Sequence, residues 1–204
     1  ELGVELLTSD NYEQAFQLAQ KMDKLNDQRQ QLSQQMQEDA EARIEQLDLK
    51  EEWVLVLASS NWHSGVIGNV ASDINEKYNR PVILMAIEEE GVAKGSARSI
   101  SNFNIHDALA ANEDLLLSFG GHKQAAGLSI AQENISNFKE RINQYAKKDL
   151  EQKDLIPHQK VDASVELEDL SCSLVEELNT LAPFGCANPS PKLITTGVEI
   201  NNYK

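Results

Sequence analysis

The chain has 204 residues, a formal net charge of −15 and two cysteines. That length suits one good domain plus appendages; no apolar run is long enough to span a bilayer and no signal-peptide pattern opens the chain. Cys172 and Cys186 make neither a disulfide framework nor a metal-ligand cluster, which points to a reducing cytosol.

The acidity argues against a broad basic nucleic-acid face. Its position matters more than its sum. Residues 1–52 carry net −8 and residues 151–204 net −5, whereas residues 53–150 carry only net −2. Anion binding therefore has to come from a focused site in the middle of the chain, where Lys94, Arg98, His122 and Lys123 fall close to glycine-rich turns.

In chain order, Val4-Glu5-Leu6-Leu7-Thr8 is a short apolar piece. Asp10 with Glu13 three residues on predicts an N-cap. A helix then runs from about 11 to 47, with Ala15, Leu18, Met22, Leu25, Leu32, Met36, Ala40 and Leu47 at helical spacing. Its length, roughly 55 Å at 1.5 Å per residue, exceeds the width of a small domain. A solvated or coiled-coil helix and a connector between domains both fit its polar other faces. The run 53–58 predicts a strand buried on both faces, followed by a polar turn and a helix over about 65–78. Pro81 stops that helix, and 82–87 is a second buried strand, completing a βαβ unit. A third strand is expected over 92–99, a short helix over 105–111, a strand opening at Gly127 and an amphipathic helix over 134–150. Residues 151–160 read as a linker, 160–167 and 192–200 as strands and 171–181 as a helix. The fold class is α/β, with a long N-terminal helix leading into a mixed sheet.

The most unusual stretch is Phe119-Gly120-Gly121-His122-Lys123-Gln124-Ala125-Ala126-Gly127. Glycines let the backbone turn sharply and approach a ligand closely, and exposed N–H groups in such a turn form an anion site. A tight turn before a buried strand is the plainer alternative.

This stretch resembles the GGHxxAAG signature of the DHH-associated domain of DHH phosphoesterases. With Gly95-Ser96-Ala97-Arg98-Ser99-Ile100, Trp62-His63-Ser64-Gly65-Val66-Ile67-Gly68 and Leu181-Ala182-Pro183-Phe184-Gly185-Cys186-Ala187-Asn188-Pro189, it is similar in particular to the RecJ family of single-strand-specific 5′→3′ DNA exonucleases. Ala187 stands where that family usually has glycine. The resemblance implies a fragment: residues 1–9 as the tail of a DHH domain, 10–50 as the connecting helix, 51–150 as the DHH-associated domain, and 151–204 as a linker with the truncated start of an oligonucleotide-binding (OB) region.

Arg98 read alone is an exposed arginine paired with an acid; the resemblance makes it a phosphate ligand, since a guanidinium binds phosphate bidentately. Ser96, on the same strand face, and Ser99 join it, as do Gly120, Gly121, His122 and Lys123. His122 is also a candidate contributor to catalysis; capping its own turn is its other reading. Trp62, His63 and Lys94 are candidate nucleic-acid contacts, Trp62 either stacking on a base or packing over the sheet edge.

No Asp-His-His triplet is present. The resemblance implies that two divalent metals, manganese or magnesium, are held by a DHH domain outside this chain, with no metal site within it. They would activate water and neutralise the phosphodiester. The chain alone is then expected to be inactive. Its expected partner is single-stranded DNA, with single-strand-binding protein and a helicase as further partners of the parent, in a bacterial cytoplasm and without a membrane. Two alternatives stand beside this reading: a DHH-family phosphodiesterase acting on short oligonucleotides or cyclic dinucleotides, and a non-catalytic nucleic-acid-binding module.

Overall fold

The computed structural model describes residues 2–199; the chain divides into two units, Glu1–Ile156 and Pro157–Lys204. Helix α1 (Leu2–Leu7) and the 33-residue α2 (Tyr12–Ile44) open the first unit. Asn11, not Asp10, caps α2. Its side-chain carbonyl accepts from the N–H groups of Glu13 at 2.9 Å and Gln14 at 3.2 Å, because the capping side chain has to sit directly before the first helical residue. The helix is about 50 Å long, yet only Met36, Ala40 and Ile44 are buried along it. Their four-residue spacing sets them on one face, so α2 is anchored by its last third, while Met22, Leu25 and Leu32 stay exposed.

The sheet has the order β1-β2-β3-β5-β4, formed by β1 (Leu55–Ser59), β2 (Val82–Ile87), β3 (Val92–Arg98), β4 (Leu116–Gly121) and β5 (Ala125–Ala131). Strands β1 and β2 are parallel and joined by α3 (Ile67–Tyr78), as the βαβ pattern predicted; the other pairings are antiparallel. Side chains alternate between two cores, which explains the nearly continuous apolar strands. Leu55, Val82 and Leu84 face α3 and the end of α2. Val54, Val56, Ile83, Met85, Ala93 and Ala97 lie in the opposite core, with Phe138 and Ile142 of α5 (Ile135–Asp149) and Ala108 and Leu109 of α4 (Ile105–Ala110).

Strand β4 was not expected. Leu116-Leu117-Ser118-Phe119 shows no strict alternation of apolar and polar residues, because this edge strand buries Leu116 and Phe119 only partly and its register shifts between Leu116 and Ser118. The glycine-histidine stretch is therefore the tip of a β-hairpin.

Trp62 is buried, which excludes it as a base-stacking platform and leaves the packing alternative. Its Nε1 donates to Asp39 Oδ2 at 2.7 Å, and the Arg43 guanidinium lies 5.3 Å over its ring. Arg43 also donates to the Ala58 carbonyl at 3.1 Å, so these three residues clamp α2 to the end of β1. A second tie joins α2 to α3: Lys77 donates to Glu41 Oε2 at 2.6 Å, and that bond holds the Glu41 carboxyl below its ordinary range. Trp62→Phe deletes the donor and replaces the buried indole with a smaller ring. It is expected to cost about 2–3 kcal/mol, the net worth of one hydrogen bond together with the packing lost with the indole. An unchanged urea-unfolding midpoint would count against the clamp.

The second unit is sparse. Helix α6 (Cys172–Asn179) is capped by Ser171, whose Oγ accepts from the Leu174 N–H at 3.2 Å. The strands expected over 160–167 and 192–200 shrink to β6 (Ala163–Ser164) and β7 (Leu193–Ile194), paired in parallel. Alternation alone does not make a strand; the backbone needs a partner ladder, and here each short strand has one neighbour. Ile200 lies outside the described residues. Asn188 braces the Pro-Phe-Gly turn by donating from Nδ2 to the carbonyls of Leu181 at 2.9 Å and Pro183 at 3.1 Å.

Candidate nucleic-acid interface

Helix α3 and the end of α2 cover the sheet only as far as β3. Beyond it, β5 and β4 present an open face, and the step from α3 down to them is a groove of about 560 Å³. Register fixes its floor. Ser96 pairs with Gly127 and Gly127 with Gly120; Lys94 pairs with Ser129 and Ser129 with Ser118. The wall is Ser64 and Gly65 of the preceding turn with Ile67 and Gly68 of the first turn of α3. Among the described residues Lys94 is the only ionisable one lining the groove, so a strongly acidic chain keeps this surface free of carboxylates.

The glycines of the floor have no local need to be glycine. A Cβ on Gly120 would meet nothing within 4 Å, and one on Gly127 would touch only the Gly95 carbonyl, at 3.9 Å. Glycine weakens a strand unless something must approach closely. Gly121 is different: its φ is +147° and a Cβ there would sit 2.4 Å from the Ala125 carbonyl oxygen. The hairpin turn itself requires a glycine there, whatever its backbone N–H contacts.

Arg98 does not line the groove itself but lies against two residues that do, Ser96 and Gly68. Its Nε donates to Ser72 Oγ at 3.0 Å, and its Nη1 donates to Ser96 Oγ and the Ala97 carbonyl, both at 2.9 Å. Among the described residues no carboxylate pairs with it, so the alternative of an arginine paired with an acidic neighbour fails. Gly68 leaves the room it occupies, since a Cβ there would lie 3.2 Å from Nη2. The N–H groups of Ile67 and Gly68, in the first turn of α3, meet no acceptor among the described residues. A partly buried guanidinium with a spare donor beside the positive end of a 12-residue helix is suited to an anion.

Of the other expected contacts, Ser99 is excluded. It is buried and donates to the Phe103 carbonyl at 2.9 Å, because it follows Arg98 and points to the opposite face. His122 and Lys123 are exposed on the hairpin tip, outside the groove lining. Their loop is tied down by its backbone: the Ile105 N–H donates to the Lys123 carbonyl at 3.1 Å and the Ser99 N–H to the Gln124 carbonyl at 2.9 Å. His63 caps its own turn, its Nδ1 accepting from the Gly65 N–H at 3.0 Å. Lys94 lines the groove but is engaged by Glu88 Oε2 at 2.9 Å. Ser118 was missed because β4 was missed, and Ser129, on the expected strand from Gly127, because its pairing with Ser118 and Lys94 was not legible; Ser72 was legible only as an outward residue on α3. Among the described residues no three His, Cys, Asp or Glu side chains gather to hold a metal ion.

Residues 51–148 match the family model of the DHHA1 domain, and residues 161–204 that of the RecJ OB domain. The chain is 37% identical over 203 residues to the single-stranded-DNA-specific exonuclease RecJ of Bacillus subtilis (strain 168), covering 99% of this chain and 26% of that protein. The chain is homologous to the RecJ exonucleases. Further RecJ relatives agree: the Thermus thermophilus exonuclease is 32% identical over 209 residues, covering 97% of this chain and 28% of its own length. The solved RecJ structure from Thermus thermophilus in complex with Mg2+ superimposes with a TM-score of 0.79 at 34% identity, over 93% of this chain and 29% of that one. An exonuclease RecJ bound to manganese gives 0.63 at 37% identity, over 72% and 36%. The chain thus spans about a quarter to a third of the length of the curated relatives it matches. The RecJ match confirms the mixed α/β fold with its long leading helix.

Proposed function

We propose that this chain is the substrate-gripping part of a RecJ-type 5′→3′ single-stranded-DNA exonuclease of bacterial DNA repair and recombination. The groove between α3 and the β3-β5-β4 face takes the sugar–phosphate backbone of one strand. Arg98, Ser96 and the first turn of α3 hold a phosphate, the floor at Gly120 and Gly127 lets the strand lie close, and His122 and Lys123 reach it from the hairpin tip. The observation that carries this reading is the paired glycine floor beside an arginine that lacks a carboxylate partner among the described residues.

The bonds to be broken are hydrolysed elsewhere. In this reading the divalent metals named with the solved relatives are held by a DHH domain outside this chain. The domain division at 51–150 and 151–204, action in the cytoplasm, and recruitment by single-strand-binding protein and a helicase belong to the same proposal.

The test is a fluorescence-anisotropy titration of the chain with labelled single-stranded and double-stranded DNA at low salt. Single strands are expected to bind more tightly, with log K falling by about 0.7 per phosphate contact for each unit of log salt. Equal affinity for duplex and single strand, or affinity insensitive to salt, would sink the proposal.

A further inference from the structure

Ser72 lies outside every motif by which the chain resembles its relatives, on the second turn of α3, yet it links the first turn of α3 to Arg98. Its hydroxyl has one proton, which goes to the Gly68 carbonyl at 3.1 Å. With that proton committed, the oxygen can only accept from Arg98 Nε, at 3.0 Å. The chain of bonds runs from β3, through the guanidinium, to the backbone of the first turn of α3. Ser96 fixes the same guanidinium from the strand side through Nη1 at 2.9 Å. Two of the three guanidinium nitrogens are thereby used on protein, and Nη2 meets no protein acceptor among the described residues. It stands beside Gly68, in the first turn of α3, where the N–H groups of Ile67 and Gly68 meet no acceptor among the described residues.

An arginine side chain left to itself samples many rotamers, and ordering it on binding costs affinity. Here the bonds to Ser72 and Ser96 order it beforehand. Resting on the phosphate-grip reading above, we infer that Ser72 is a positioning residue: it holds Arg98 so that Nη2 and the α3 N–H groups converge on one phosphate oxygen set before DNA arrives. Ser72 itself touches no DNA. It acts through Arg98, and its contribution therefore vanishes when Arg98 is absent.

A double-mutant cycle tests this, with a short single-stranded oligonucleotide carrying either a 5′-phosphate or a 5′-hydroxyl as the titrant. Ser72→Ala is expected to weaken binding about fivefold. Ser72→Thr, which keeps the hydroxyl, is expected to stay within about twofold of the unsubstituted chain. In an Arg98→Ala background, Ser72→Ala is expected to add nothing. Loss in both oligonucleotides assigns an internal backbone phosphate to the grip; loss confined to the phosphorylated one assigns the terminal phosphate. The inference is overturned if Ser72→Ala binds normally while Arg98→Ala does not, or if the two losses multiply. A merely structural role predicts the second of these, since a loosened α3 would harm binding with or without the arginine. Normal binding by Arg98→Ala has a separate meaning: it removes the phosphate-grip reading itself, and the inference falls with it.

Discussion

Arg98→Ala is expected to weaken binding of single-stranded DNA by roughly ten- to a hundredfold, the worth of one or two charge-assisted hydrogen bonds. The fold should survive the change. The bonds that Arg98 makes are to Ser72, Ser96 and the Ala97 carbonyl, and Ser96 lines the open groove, where water can replace the guanidinium. Arg98→Lys should recover little. An ammonium is a point charge on a flexible stem and cannot bond Ser72, Ser96 and a phosphate from one planar fork. The checks are anisotropy titration for affinity and thermal melting for fold. A melting temperature held within a few degrees with unchanged affinity would place the phosphate grip elsewhere; lost affinity with a collapsed melt would make Arg98 structural.

Gly127→Val should separate stability from binding in sign. A valine in the middle of β5 replaces a residue that costs a strand roughly 0.5–1 kcal/mol in backbone entropy, and its Cβ meets nothing closer than 3.9 Å. The variant is therefore expected to melt at the same temperature or higher. Its side chain would rise from the floor between Ser96 and Gly120, the register partners on either side. A strand could no longer lie against the sheet, and affinity should fall at least tenfold, on the order of the 1–3 kcal/mol that overpacking a fitted surface costs. A site kept open at the expense of stability is the pattern expected where function opposes folding. Unchanged affinity in a well-folded Gly127→Val would show that nothing lies on this floor.

The sequence by itself determined a good deal. The continuous apolar runs at 53–58 and 82–87, bridged by a helix-length segment and Pro81, specify a parallel βαβ unit, because strands buried on both faces leave no polar alternation. The long helix was legible from its spacing and its lack of proline or glycine. The four motifs named the RecJ family and the stretch that holds the candidate site. Their order along the chain, though, says nothing about which side chains converge.

Tertiary structure decided that. Trp62 and His63 are neighbours in one motif, yet Trp62 is buried against Asp39 and Arg43 while His63 is exposed and caps a turn. Ser96 and Ser99 flank Arg98 in another, but strand alternation sends Ser99 into the core and leaves Ser96 on the groove. Gly120 and Gly121 are adjacent and chemically identical; a backbone angle makes one a turn residue and a pairing partner makes the other a floor. Ser72 reaches Arg98 across 26 positions of sequence. Local composition encodes which elements form. Convergence depends on register and on which helix covers which strands, and those are fixed only when the sheet is assembled.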